Sequence, residues 1–156
     1  MSFKAFCRRE VSALGIFGRR RQPQISVEDQ AQATALLKNW ERAQSSSDWR
    51  SAAQALAALG DWEWWLQLTR KGRAESNYLL VGQVACFVTQ VKAMGFIAGS
   101  GFGTLSANTH REFDQIAVDA LSHAPEDLVV QDGSAGRLDA GTVRNWAAGR
   151  IENGMH

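Results

Sequence analysis

An all-α fold is the class this sequence predicts, and three observations predict it. Apolar residues recur at spacings of three and four in segment after segment, the period of one helical face. Those segments tend to start at Ser or Asp and to stop at Gly or Pro, the usual punctuation of helices. One run, Tyr78 to Thr104, is more apolar than the rest and supplies a centre. The prediction is a compact bundle of five to seven amphipathic helices around a buried central helix at about 78–94.

From the start of the chain, residues 2–17 read as an amphipathic helix with Phe3, Phe6, Cys7, Val11 and Leu14 on one face. Gly18 breaks that pattern, and Arg19, Arg20 and Arg21 open an exposed linker. Ser26 is placed to cap the next helix, with Glu28 and Asp29 in its first turn, where they complement the helix dipole. That helix runs to about Ala43 with Ala33, Leu36, Leu37 and Trp40 inward. A break at Ser45–Ser47 precedes a helix from Trp49 to Leu59, closed by Gly60. Asp61 caps a further helix, Trp62 to Lys71, which Gly72 is expected to end.

The central segment follows. Leu80, Val81, Val84, Phe87, Val88 and Val91 share the helical period, and no charge interrupts the run before Lys92. A helix apolar nearly all round belongs in a core. Spanning a membrane takes about 20 predominantly apolar residues, and Gln83, Gln90 and Lys92 interrupt this stretch. Gly95 is expected to end the helix. Gly99-Ser100-Gly101-Phe102-Gly103 matches neither GxGxxG nor GxxxxGK[ST], so it reads as a chain-reversing turn rather than a phosphate cradle.

Beyond the loop, Thr109-His110-Arg111-Glu112 has the [ST]xxE form of a capping box, with Ser106 as an alternative start. Phe113, Ile116, Ala117, Ala120 and Leu121 make the buried stripe of a helix that ends near His123, before Pro125. Leu128 to Val130 reads as a short strand or extended loop, and Asp132 to Gly136 as a turn. A last helix, about Ala140 to Ile151, takes Asp139 as its cap.

The 156 residues fit one domain, divided here into a basic arm and linker at 1–25 and a helical domain at 26–156. Hydrophobic residues form 45% and charged residues 21% of the chain, near the globular average. Two cysteines, Cys7 and Cys86, do not make a disulfide framework, so reduced thiols in the cytoplasm are the expectation. No secretory signal is read at the N-terminus. Residues 1–25 hold six basic residues and one acidic, a net of +5, and the rest holds 11 basic and 15 acidic, a net of −4.

Few residues carry a chemical signal. Trp62, Trp64 and Trp65 cannot all sit on one narrow helical stripe, so at least one is expected to be partly exposed. Exposed tryptophans are favoured at protein interfaces. Together with the lack of catalytic motifs, this points to a non-catalytic module that binds another protein: an adaptor, a dedicated chaperone, or an inhibitor or immunity-type regulator. A homodimer is compatible with the same features.

Nucleic-acid binding is the alternative. Arg19, Arg20 and Arg21 could neutralise phosphates, or rest on an anionic membrane. The segment Leu138 to Ile151, with Thr142, Arg144 and Asn145 outward and Val143 and Trp146 inward, resembles the recognition helix of helix-turn-helix proteins. That resemblance covers 14 residues and implies base contacts from Thr142, Arg144 and Asn145; no scaffold helix precedes it.

A third reading is a small enzyme using His110 and Asp114, which lie four apart on one helical face. That spacing suits a base with its orienting carboxylate, or two metal ligands. A third ligand is lacking, because His123 lies about three and a half turns further on. The pair therefore reads as a surface interaction. No metal and no cofactor is inferred. Cys86, with apolar neighbours, reads as a buried, inert thiol.

Overall fold

The computed structural model describes residues 24–44, 61–93, 105–133 and 136–156. Five helices and a two-stranded hairpin make it up: α1 Val27–Ala43, α2 Trp62–Ala74, α3 Tyr78–Ala93, α4 Ala107–Leu121, β1 Val129–Gly133, β2 Gly136–Asp139 and α5 Ala140–Glu152. The expected all-α bundle is present, with one hairpin added. The helices expected at 2–17 and 49–59, Gly95 as a stop, and the Gly99–Gly103 turn lie outside the described residues.

Three N-terminal caps follow from local sequence. The Ser26 hydroxyl accepts from the Asp29 N–H at 3.1 Å, and the Asp61 carboxylate accepts from the Glu63 N–H at 3.0 Å. Asp139 accepts from the Thr142 N–H at 2.9 Å, and the hydrogen bonds from Thr142 hold its carboxyl below the usual value. Each satisfies an N–H that the first helical turn leaves without a partner.

The cap of α4 differs from the expected one. Ser106, not Thr109, caps α4: its hydroxyl accepts from the Thr109 N–H at 3.1 Å. Glu112 is not needed to complete a box and instead pairs with Arg70 on α2.

The end of α2 is also a correction. Gly72 lies inside the helix, buried against α3, where a Cβ would sit 3.2 Å from Val81 Cγ2. The chain turns four residues later, at Ser76, in the left-handed region at φ 57°. Asn77 N–H bonds back to Gly72 C=O at 2.8 Å and Ser76 N–H to Arg73 C=O at 3.1 Å. This is a Schellman motif with serine in the position usually held by glycine. Asn77 then accepts from the Leu80 N–H at 3.2 Å and starts α3.

α3 is the central helix, in contact with α1, α2, α4, α5 and β1. Leu80, Val81, Val84, Phe87, Val88 and Val91 are all buried in it. α2 is packed against both α3 and α4. That sandwich explains why Leu66 and Leu68, two positions apart and so on different faces of α2, are both buried. Trp40 of α1 closes on Phe87 edge-on, with centroids 5.9 Å apart, and donates its indole N–H to Gln90 Oε1 at 2.8 Å.

β1 and β2 pair antiparallel, so that Asp132, Gly133 and Gly136, expected in a turn, belong to strands. Asp132 pairs with Arg137 and Gln131 with Leu138, but Val129 pairs with Asp139. Val130 is therefore an extra residue on β1, a bulge that bends the strand and buries its side chain. Gly82 of α3 accommodates that side chain: a Cβ on Gly82 would lie 2.4 Å from Val130 Cγ1. Gly82→Ala is expected to cost about 1–3 kcal/mol through overpacking, and adding Val130→Ala should recover part of it. Urea unfolding of both single variants and the double variant measures the coupling; strict additivity would count against the close approach of α3 and β1.

No helix of the described residues is long and apolar enough to cross a membrane.

Candidate functional site

Two places in the fold carry more than packing. The first is a buried polar cluster where α3, α4 and α5 meet. The second is an open cleft between α1, α3 and β1.

The cluster is built on Asp114, which α4 places in the core beside Phe113 and Ile116. Arg150, in the last turn of α5, clamps its carboxylate with two parallel hydrogen bonds: Nε to Oδ2 and Nη2 to Oδ1, both at 2.8 Å. This two-pronged geometry is the strong form of an arginine–carboxylate pair. Arg150 Nη2 also donates to Thr89 Oγ1 at 2.9 Å, and the Thr89 hydroxyl donates on to the Ala85 carbonyl at 2.9 Å. The guanidinium thus ties α5 to α3 and α4 together.

Two imidazoles complete the cluster. Past α5 the chain reverses through Gly154, at φ 63°, with Met155 N–H bonded to Arg150 C=O at 2.9 Å and Gly154 N–H to Ile151 C=O at 3.3 Å. This second Schellman motif returns the chain over α5 and brings His156 Nε2 to 2.7 Å from Asp114 Oδ2. His110, one turn before Asp114, is 1% exposed, and its ring meets that of His156 edge-on with centroids 4.8 Å apart.

The His110 ring is short of partners. Its Nε2 stands 3.8 Å from Asp114 Oδ2, beyond hydrogen-bonding range, and neither ring nitrogen has a partner among the described residues. His156 Nδ1 is unpartnered as well. A buried donor left without an acceptor costs about 1–3 kcal/mol. Burial pushes the His110 pKa down to about 4; Asp114 opposes this, while Arg150, His156 and Lys92 add to it. At neutral pH the ring is uncharged, so its approach to Asp114 is not an ion pair. The surface i,i+4 pair expected of His110 and Asp114 is thus corrected: both are buried, because α5 and the returning chain cover that face of α4.

The cleft has a volume of about 240 Å³. Leu37, Trp40, Phe87 and Val130 give it an apolar floor, and Lys38, Glu41, Gln83 and Asp132 give it a polar rim. Leu79 lines it as well and is 44% exposed. The Glu41 carboxylate accepts from the Asp132 N–H at 2.7 Å, joining α1 to the outer edge of β1. Below the cleft, the Cys86 thiol is buried and lies 3.3 Å from Gln131 Oε1. Burial, with a smaller contribution from Glu41, pushes its pKa up to about 12. An uncharged thiol at neutral pH is a poor nucleophile, as its apolar neighbours suggested.

The other sequence candidates fall as follows. Trp65 is buried at 2% exposure, and Trp62 and Trp64 are half-buried. Trp62 stacks on Phe87 at 5.8 Å, and Trp64 meets Trp65 edge-on at 4.8 Å. On α5, Thr142 supplies the capped N–H, while Arg144 reaches Glu126 at 3.6 Å and Asn145 Oδ1 at 3.2 Å. The element before α5 is the hairpin, not a helix. His123 is exposed. Arg19, Arg20, Arg21 and the Gly99–Gly103 loop lie outside the described residues.

Arg150, His156 and Thr89 are functional candidates that the sequence reading did not single out. Only Gly154, just past a helix end, signals that the chain folds back there. The chain matches no family model, no curated protein and no solved structure in comparisons with each.

Proposed function

We propose that this chain is a non-catalytic binding module for another protein, and that the cleft between α1, α3 and β1 receives one large apolar side chain from an extended segment of the partner. The observation that carries this reading is the cleft itself: an aromatic and aliphatic floor beneath a polar rim, with Leu79 44% exposed beside it. Pockets for drug-sized ligands run to roughly 300–1,000 Å³. A cleft of about 240 Å³ suits a single anchoring side chain. Anchors of that kind carry much of the energy of protein interfaces. The rim offers Glu41 and Asp132 against Lys38, so a basic residue flanking the anchor complements it.

A regulator or adaptor of this type fits a reduced, cytoplasmic setting, in keeping with the buried thiol of Cys86. Nucleic-acid binding through α5 has less support, because Arg144 is engaged with Glu126.

The test is selection of displayed random peptides on the immobilised chain, followed by affinity measurement. Peptides with a large apolar residue should be enriched, and Leu79→Glu should weaken them about tenfold or more, that is by about 1.4 kcal/mol. Its melting temperature should stay near that of the parent, since Leu79 is exposed. No enrichment, or equal binding by the Leu79→Glu variant, would remove the cleft from the proposal.

A further inference from the structure

We propose that His110, Asp114 and His156 form a binding site for a divalent transition-metal ion, of which Zn²⁺ is the best match. Each residue offers one ligand atom, and these atoms all lie within 4.8 Å of one another. Two neutral imidazoles and a carboxylate are a donor set that suits zinc.

The spacing is close to what an ion needs. Zinc holds nitrogen and oxygen donors at about 2.0–2.2 Å, which separates tetrahedral ligand atoms by roughly 3.3–3.6 Å. The distances to Asp114 Oδ2 bracket that figure: 3.8 Å from His110 Nε2 and 2.7 Å from His156 Nε2. An ion would draw the first in and replace the hydrogen bond of the second. His156 can coordinate through Nε2 with a proton on Nδ1, which has no partner among the described residues.

A second, independent observation points to a ligand. His110 is 1% exposed, and both of its ring nitrogens lack partners among the described residues. Buried polar groups are paired in the large majority of cases, and a metal ion at this point would satisfy one of those nitrogens. The surroundings also resemble a ligand-orienting shell. Arg150 fixes the carboxylate plane through two hydrogen bonds and is itself held by Thr89. Metal-binding carboxylates are commonly hydrogen-bonded in this way, and that support is part of the affinity. The site is independent of the α1–α3–β1 cleft, which none of its three residues lines.

The experiment uses the full chain, stripped with a chelator, dialysed, and titrated with Co²⁺ as a spectroscopic stand-in for Zn²⁺. Visible d–d absorption that saturates at one equivalent is expected, and Zn²⁺ should abolish it by competition. Zn²⁺ alone should raise the melting temperature of the stripped protein. His156→Gln and His110→Gln should each weaken Co²⁺ binding about tenfold or more. His156 lies past the last helix but its side chain is buried, so circular dichroism checks that the variant folds. Absence of d–d absorption in the parent, or absorption and affinity unchanged in a folded His156→Gln protein, would overturn the assignment.

Discussion

Replacing Arg150 by methionine is expected to destabilise the fold by about 3–5 kcal/mol, the usual cost of removing one partner from a buried ion pair. The loss is not mainly the attraction between Arg150 and Asp114. Asp114 is 2% exposed, so without the guanidinium its charge stays in the core with only the imidazoles of His156 and His110 close by. Two charge-assisted hydrogen bonds are lost, and Thr89 loses a donor. Methionine keeps much of the aliphatic stem, so packing changes little. Urea unfolding measures the effect. Combining Arg150→Met with Asp114→Asn should cost less than the sum of the two single changes, because the double variant buries no lone charge. A loss below about 1 kcal/mol for Arg150→Met would mean that water reaches the pair.

The second large effect separates the tryptophans of α2. Trp65→Ala is expected to cost about 3–5 kcal/mol. Its ring is buried against Phe87, with centroids 5.2 Å apart, and supports Trp64 edge-on. Trp64 is half-buried, and Trp64→Ala should cost below about 2 kcal/mol. Thermal unfolding of the two variants gives the comparison. If α2 also contributes to partner binding, Trp64→Ala should weaken binding while leaving a folded domain, whereas Trp65→Ala acts through stability. Equal losses for the two would show that both rings serve the core alone.

Much of the fold was legible because helices are local objects. The stripe Ala33, Leu37, Trp40 spans about two turns, and the Ser26 cap lies three residues from the Asp29 N–H that it receives. The same holds for Asp139 and the start of α5. The central helix was legible from apolarity alone, because a segment without a polar face has only the core to occupy. Misreadings came where a local rule had two uses. Glycine near a helix end can be a stop or a contact point, and Gly72 is the second. Ser76 takes the left-handed position that the sequence would assign to glycine. Thr109 has the capping-box pattern, yet Ser106 starts the helix and Glu112 is drawn to Arg70.

By itself, then, the sequence determined the class of fold, its central helix, most helix boundaries and the inert setting of Cys86. These depend on spacing and burial tendencies within a few turns. Only the tertiary structure decided that His110 and Asp114 are buried rather than exposed. The deciding groups, Thr89, Arg150 and His156, lie 25 to 42 residues from Asp114 in the chain. No local pattern links them. They meet because α3, α4 and α5 pack together and the Gly154 turn folds the chain back. The cleft has the same origin, since α1, α3 and β1 line it together and β1 bulges at Val130, packed against Gly82. Periodicity tells which face of an element is covered, but what covers it is set by long-range packing.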